Sequence, residues 1–255
     1  MKLQKVIVGI GAVVLAGSVR AACGGSSGPD LGSMSASAIM NLAAKNVAKQ
    51  SAIEVTGNLP QPGNGSLSAD VLLKQGSLSG SFTISNAQGV SGAVNIVEVN
   101  GVSAVKADVP FMTSTLSQSA GLQGTPTAAV DALAGAMADK WIDTTTLPNS
   151  LASEYSSLAQ AFAAVPRGLS ALAKNATKVG ERTVDGHKVM EITASGRTIG
   201  ISEGVTPLLV VVTKNGGSLT YSYPKSATIT EPTNVTTLND LLTPQLAQIL
   251  KDLGF

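Results

Sequence analysis

The stretch that decides the fold is residues 67–109, LSADVLLKQGSLSGSFTISNAQGVSGAVNIVEVNGVSAVKADV. Leu67, Ala69, Val71 and Leu73 alternate with Ser68, Asp70 and Leu72, and the alternation resumes through Leu78, Gly80, Phe82 and Ile84, then Val90, Gly92, Val94 and Ile96. A period of two places successive side chains on opposite faces, the pattern of strands. The interruptions at Gln75-Gly76, Asn86 to Gly89 and Asn100-Gly101 carry Gly or Asn where a tight hairpin needs positive φ. Successive strands are therefore expected to pair as neighbours in an antiparallel meander, one face of which needs cover.

The material for that cover lies on both sides. Upstream, Ser33 or Ser35 can cap a helix with Ile39, Leu42, Ala43 and Val47 on one stripe, followed by a strand from Ala52 to Asn58 and a Pro/Gly loop from Leu59 to Gly65. Downstream, periodicity lapses from Phe111 to Gly124 into Ser, Thr and Gln around Met112, Leu116 and Leu122, which reads as a loop. Three helical segments follow. Thr125-Pro126 starts one with Val130, Leu133, Met137 and Trp141 on a face; Pro148 opens a second with Leu151, Tyr155, Leu158, Phe162 and Val165, ended by Pro166; Leu169 and Leu172 sit on a short third.

Strand patterning returns at Lys178–Val184 and His187–Ala194, joined by Asp185-Gly186, then at Arg197–Ser202, Pro207–Thr213, Ser218–Tyr223 and a final short Ala227–Thr230. A last helix has Thr243 as cap, Pro244 at its first position and Leu246, Ile249, Leu250 and Leu253 as its stripe. Blocks of strands and helices that do not alternate argue for an α+β fold, with helices on one face of an antiparallel sheet. No second domain is expected.

Composition limits the functions available. Apolar residues make up 44% of the 255 residues, while aromatics are 3% and charged residues 13%, so the interior is built mainly from Ala, Val, Leu and Gly. Net charge is +1, and loss of Lys2, Lys5 and Arg20 with residues 1–22 leaves a mature balance of −2. No basic patch argues for nucleic acid.

Residues 1–22 read as an export signal, with Lys2 and Lys5 before an apolar Val6–Gly17 too short to span a membrane comfortably. Ala21-Ala22 then precedes Cys23, the single cysteine, and the flexible Gly24-Gly25-Ser26-Ser27-Gly28-Pro29. This arrangement resembles a bacterial lipobox in which Cys23 receives a diacylglycerol, although Arg20 stands where an aliphatic residue is usual. Two or more acyl chains at ~0.8 kcal/mol per buried CH₂ hold a protein at a membrane surface. Plain secretion with a free thiol is the other reading of the same residues. Gly24 to Gly28 also matches G-x-S-x-G, but a nucleophile elbow needs a strand before it and a helix after it, and Ser26 has neither.

The layout as a whole resembles actinobacterial lipoproteins of the LppX/LprG type, similar in fold to the LolA/LolB lipoprotein carriers. The residues that carry the resemblance are the exported cysteine with its tether, Ile53-Glu54-Val55-Thr56-Gly57, Lys140-Trp141-Ile142, Gly180-Glu181-Arg182-Thr183-Val184-Asp185-Gly186 and the strand pair around Pro207-Leu208. The resemblance runs over roughly Ser35 to Glu231. It implies residues 1–22 as signal peptide, 23–33 as lipidated tether and 34–255 as one LolA-like domain: a curved antiparallel half-barrel with helices plugging its concave face. It further implies an apolar cavity for the acyl chains of a lipid or lipoglycan, no cofactor, a membrane anchor on the extracytoplasmic side, and an envelope acceptor protein as partner. The helix from Thr243 to Phe255 lies beyond the family's usual end, where it is placed to cover a sheet edge or a cavity mouth.

A lipid carrier needs apolar surface that core packing does not consume. Burying a palmitate-length chain is worth on the order of 10 kcal/mol, and because the bilayer offers the same, such a carrier exchanges ligand with conformational energy setting the direction. The expected cavity residues are Phe82, Ile84, Val94, Ile96, Met137, Leu158 and Phe162, with small inward residues Ala69, Gly80, Gly92, Ala104 and Ala107 leaving room beneath them. The alternative is that these residues pack on one another and leave no void. Phe111 to Gly124, with Phe111, Met112 and Leu116, is the expected lid, its alternative a surface loop.

No residues point to catalysis. His187, the only histidine, follows a hairpin turn; Asp139 and Asp143 flank Trp141 without metal-ligand spacing; there is no P-loop and no Cys/His cluster. The competing function is a non-transporting envelope binding or sensor module on the same fold.

Overall fold

The computed structural model describes residues 28–61, 65–85, 91–119, 128–149, 151–153, 155–156, 164–184 and 186–253. Its centre is the meander read above: β1 (Ala52–Gln61), β2 (Gly65–Lys74), β3 (Ser77–Ser85), β4 (Ser91–Val99) and β5 (Val102–Ala107). A two-residue β6 (Ile142–Asp143) adds to β5, and a second meander follows with β7 (Thr177–Val184), β8 (His187–Ala194), β9 (Arg197–Ser202), β10 (Leu209–Lys214) and β11 (Gly217–Ser222). The two meanders join where β1 pairs with β11, Glu54 opposite Ser222 and Asn58 opposite Ser218. The result is one open, curved, wholly antiparallel sheet in the order β6-β5-β4-β3-β2-β1-β11-β10-β9-β8-β7.

Hairpins form where the sequence supplies positive φ. Asn100 and Gly101 adopt φ of 51° and 82°, and Asn215 and Gly216 adopt 51° and 85°, so both positions of each turn are left-handed. That geometry matches the twist of the flanking strands. The registers give one apolar face, with Leu67, Ala69, Val71 and Leu73 facing the helices beside Phe82, Ile84, Val94 and Ile96.

Helices cover that face. In α1 (Ala36–Val47), Ser35 caps the first turn by accepting from the Ala38 amide, and Ile39, Met40, Ala43, Ala44 and Val47 are buried. Helices α2 (Val109–Ser119) and α3 (Ala128–Met137) pack on each other, α2 also touching β4, while α1 packs against α4 (Val165–Leu172). The chain ends in a short α5 (Leu238–Leu241) and α6 (Pro244–Asp252), both against α3.

Four local readings are corrected. The loop expected from Phe111 is helix α2 over its first part. Asp108 Oδ1 accepts from the Phe111 amide at 2.8 Å, an N-cap that the Ser/Thr-rich composition concealed. Strand β1 runs to Gln61, past the loop expected at Leu59, because β2 pairs with it along its whole length. Pro166 lies in the first turn of α4 instead of ending a helix, at a place where its missing N–H costs nothing. Residues 227–230 form no strand, since both sides of β11 are already taken by β1 and β10.

Candidate functional site

Phe82, Ile84, Val94, Ile96 and Met137 come together as expected, all in one apolar cluster between sheet and helices. Leu158 and Phe162 lie outside the described residues, as do Cys23 and the rest of residues 1–27. Phe111, Met112 and Leu116, expected on a lid, are core residues of α2 at 4%, 1% and 0% exposure. The Tyr155 hydroxyl lies 3.9 Å from the Met112 sulfur, and the Phe111 and Tyr155 rings are 6.2 Å apart, so Tyr155 holds the start of this helix through two of its residues.

The small residues divide three ways. Ala69 and Ala107 face the cluster. Ala104, opposite Val97, has the reverse parity from Val105 and Ala107 and lies on the other face of the sheet, which corrects the expectation that it faces inward. Gly80 faces inward between Val71 and Ile96, but the space its side chain vacates is occupied: a Cβ there would meet Phe82 Cε2 and Cζ at 2.6 and 2.7 Å. Gly92, at φ 121°, lets Asp108 and the Phe111 backbone approach β4, where Asp108 Oδ2 accepts from the Ala93 amide at 2.8 Å.

The interior is hydrocarbon and thioether. Met40, Met112, Met137 and Met190 are all at most 2% exposed, and among the described residues the buried polar side chains besides Tyr155 and Tyr221 are those of Thr115 and Ser117, whose hydroxyls have no partner. At the flank of the cluster, burial pushes the phenol pKa of Tyr221 and Tyr223 upward, and Tyr223 donates to the Leu209 carbonyl at 2.7 Å. Among the described residues no group of three His, Cys, Asp or Glu side chains is placed to hold a metal, and no helix is long and apolar enough to cross a membrane. His187 is exposed at the start of β8.

Sequence reasoning missed a cleft at one end of the sheet. The cleft, of about 600 Å³, opens between the C-terminal end of α1, the start of β1 and the β2–β3 turn. Val47, Ala52, Ile53, Leu73 and Leu78 form its buried lining, and Lys49, Lys74, Gln75 and Glu98 stand around them. No local signal marks it, because its walls come from α1 and four strands, β1 to β4.

The C-terminal segment is a strap, not a free appendage. Lys74 Nζ donates to the Ala227 carbonyl at 3.0 Å; Thr236 then forms a parallel bridge with Ile142, with Asp143 N to Thr236 O and Thr236 N to Trp141 O both 2.9 Å. The Leu238 amide donates to Thr146 Oγ1 at 2.9 Å. The β6 edge is covered by Thr236, upstream of the Thr243 to Phe255 helix expected to cover an edge or a cavity mouth; that helix, α6, packs against α3. Trp141, expected on the α3 face, instead precedes β6, with Lys106 Nζ 5.8 Å from its ring centre.

No family model matches the chain, and no curated protein matches it. Among solved structures it is similar to MucB at 13% identity and a TM-score of 0.31, over 82% of this chain and 62% of that one. It is also similar to the MucA/MucB complex of Pseudomonas aeruginosa at 12% identity and a TM-score of 0.31, over 83% and 62%. The chain thus spans less than two thirds of the length of those it resembles, and the overlap of folds at this score is partial.

Proposed function

We propose that this chain is an exported envelope lipoprotein of the LppX/LprG type, held at the extracytoplasmic membrane surface through Cys23, whose LolA-like half-barrel takes up the acyl chains of a lipid or lipoglycan and passes them to an envelope acceptor without catalysis. The observation that carries this reading is the chemistry of the layer between sheet and helices. It contains no buried charge among the described residues, and four buried methionines contribute unbranched, polarisable side chains that repack readily around an irregular guest. Native mass spectrometry of the mature chain purified from a lipid-rich host tests it. Co-purifying acyl species, displaced by added fatty acid, are the expected result, and a clean apoprotein mass overturns it.

One observation favours a second reading, a non-transporting module that binds a partner protein. The Phe82 ring fills the space above Gly80, so this part of the interior is solid. A clean apoprotein mass together with capture of an envelope protein selects that reading.

A further inference from the structure

One end of the sheet gathers features that the interior reading does not use. Because all pairings are antiparallel, the ends of β2, β4, β9 and β11 and the start of β1 lie together, and the C-terminal end of α1 joins them where Asn46 Nδ2 donates to the Pro207 carbonyl at 3.0 Å. The cleft opens at this end.

Gly28, the first described residue, also lies here. Its backbone packs so closely on Gly204 and Val205 that no side chain fits. Cys23 is five residues earlier, a chain reach of at most ~18 Å. The loop on which Gly28 packs is firmly held at its base and presents an apolar tip: Ser202 N donates to Leu208 O at 2.8 Å, Leu208 N to Ser202 Oγ at 2.9 Å and Glu203 N to Lys188 O at 2.9 Å, while Val205 is 71% exposed. Holding a bare valine out in the water gives the fold no burial energy.

Among the described residues, the charges around it lean positive. Lys45, Lys49, Lys74, Lys188 and Lys225 are exposed at or beside this end, against Glu54, Glu98 and Glu203. We propose that this end is the face that docks on an anionic lipid surface, Val205 entering the interface and the lysines meeting headgroups, with the cleft held against the membrane. Its orientation rests on the reading that Cys23 is the anchor, but the contact itself does not. Each lysine near an anionic surface contributes roughly 1 kcal/mol, and an apolar tip in a basic surround is the composition of interfacial contacts.

The test uses the mature chain with C23S, so that lipidation plays no part, and an environment-sensitive fluorophore on either V205C or S218C, the latter at the opposite end of the sheet. With vesicles of phosphatidylcholine containing roughly a third phosphatidylglycerol at low ionic strength, the Val205 probe is expected to shift to the blue and brighten about twofold or more. The Ser218 probe is expected to stay unchanged, and K49Q/K74Q/K188Q to weaken the response about tenfold or more. Equal response on pure phosphatidylcholine, no response, or a larger shift at Ser218 overturns the proposal. Mass analysis of Cys23 in the native host tests the anchor separately.

Discussion

Two residues show how single side chains fix this interior. Asp108 joins β4 to α2 by accepting from both Ala93 and Phe111 amides. Replacing it with Ala removes an N-cap and leaves a strand amide unpaired, and a loss of ~1–3 kcal/mol in urea unfolding is expected. Gly80 is held to glycine by the Phe82 ring. G80A is expected to cost ~1–3 kcal/mol through overpacking. The double variant G80A/F82L is then expected to be less destabilised than the sum of the two singles, since shortening the ring relieves the clash. Asp240 supplies one pH-dependent contact: hydrogen bonds from the Thr237 side chain and backbone lower its pKa and close a capping box on α5. A lowered folded pKa means its contribution is complete at neutral pH and is lost only as pH falls through and below the usual carboxylate range. D240N is expected to make the acid limb of a melting-temperature profile shallower than in the parent chain.

At the scale of elements, the two sheet edges are managed differently. The β7 edge exposes Lys178, Glu181 and Arg182, pairs Arg182 with Glu191 at 3.1 Å, carries a register shift between Lys178 and Gly180, and is tied to the loop before α1 by Lys178 contacts to Gly32 and Met34. Charge and irregularity discourage pairing with another chain. The β6 edge is short and covered by Thr236. T236P removes the amide that donates to Trp141 and is expected to loosen the strap, seen as faster hydrogen exchange in residues 141–146 and concentration-dependent association on size exclusion. Unchanged exchange there shows that α5 and α6 alone hold the strap. The strap was half legible: Thr243 and Pro244 announced α6, whereas the Ile142–Thr236 bridge joins residues too far apart for any local pattern to declare.

At the scale of the molecule, one continuous cluster ties helices α1, α2 and α3 to both meanders. Leu133, fully buried in α3, is expected to cost ~2–5 kcal/mol on truncation to Ala, with loss of cooperativity across both halves of the sheet. If acyl chains enter this cluster, M137W is expected to lower the amount of co-purifying lipid in native mass spectra; undiminished lipid places the guest elsewhere, the cleft at the end of α1 being the next site to probe.

The sequence by itself determined most of the strands, the Asn-Gly turns with positive φ, the Thr243 cap and the α+β class, because each is set by neighbours within a few residues. Tertiary structure alone decided that β1 pairs with β11 and so turns two meanders into one sheet, that α2 forms where its composition reads as loop, that residues 227–230 remain strandless, and that the Phe82 ring occupies the space Gly80 leaves. Alternation labels two faces of a strand without naming what will lie against either. Partners far along the chain are chosen by burial of the whole.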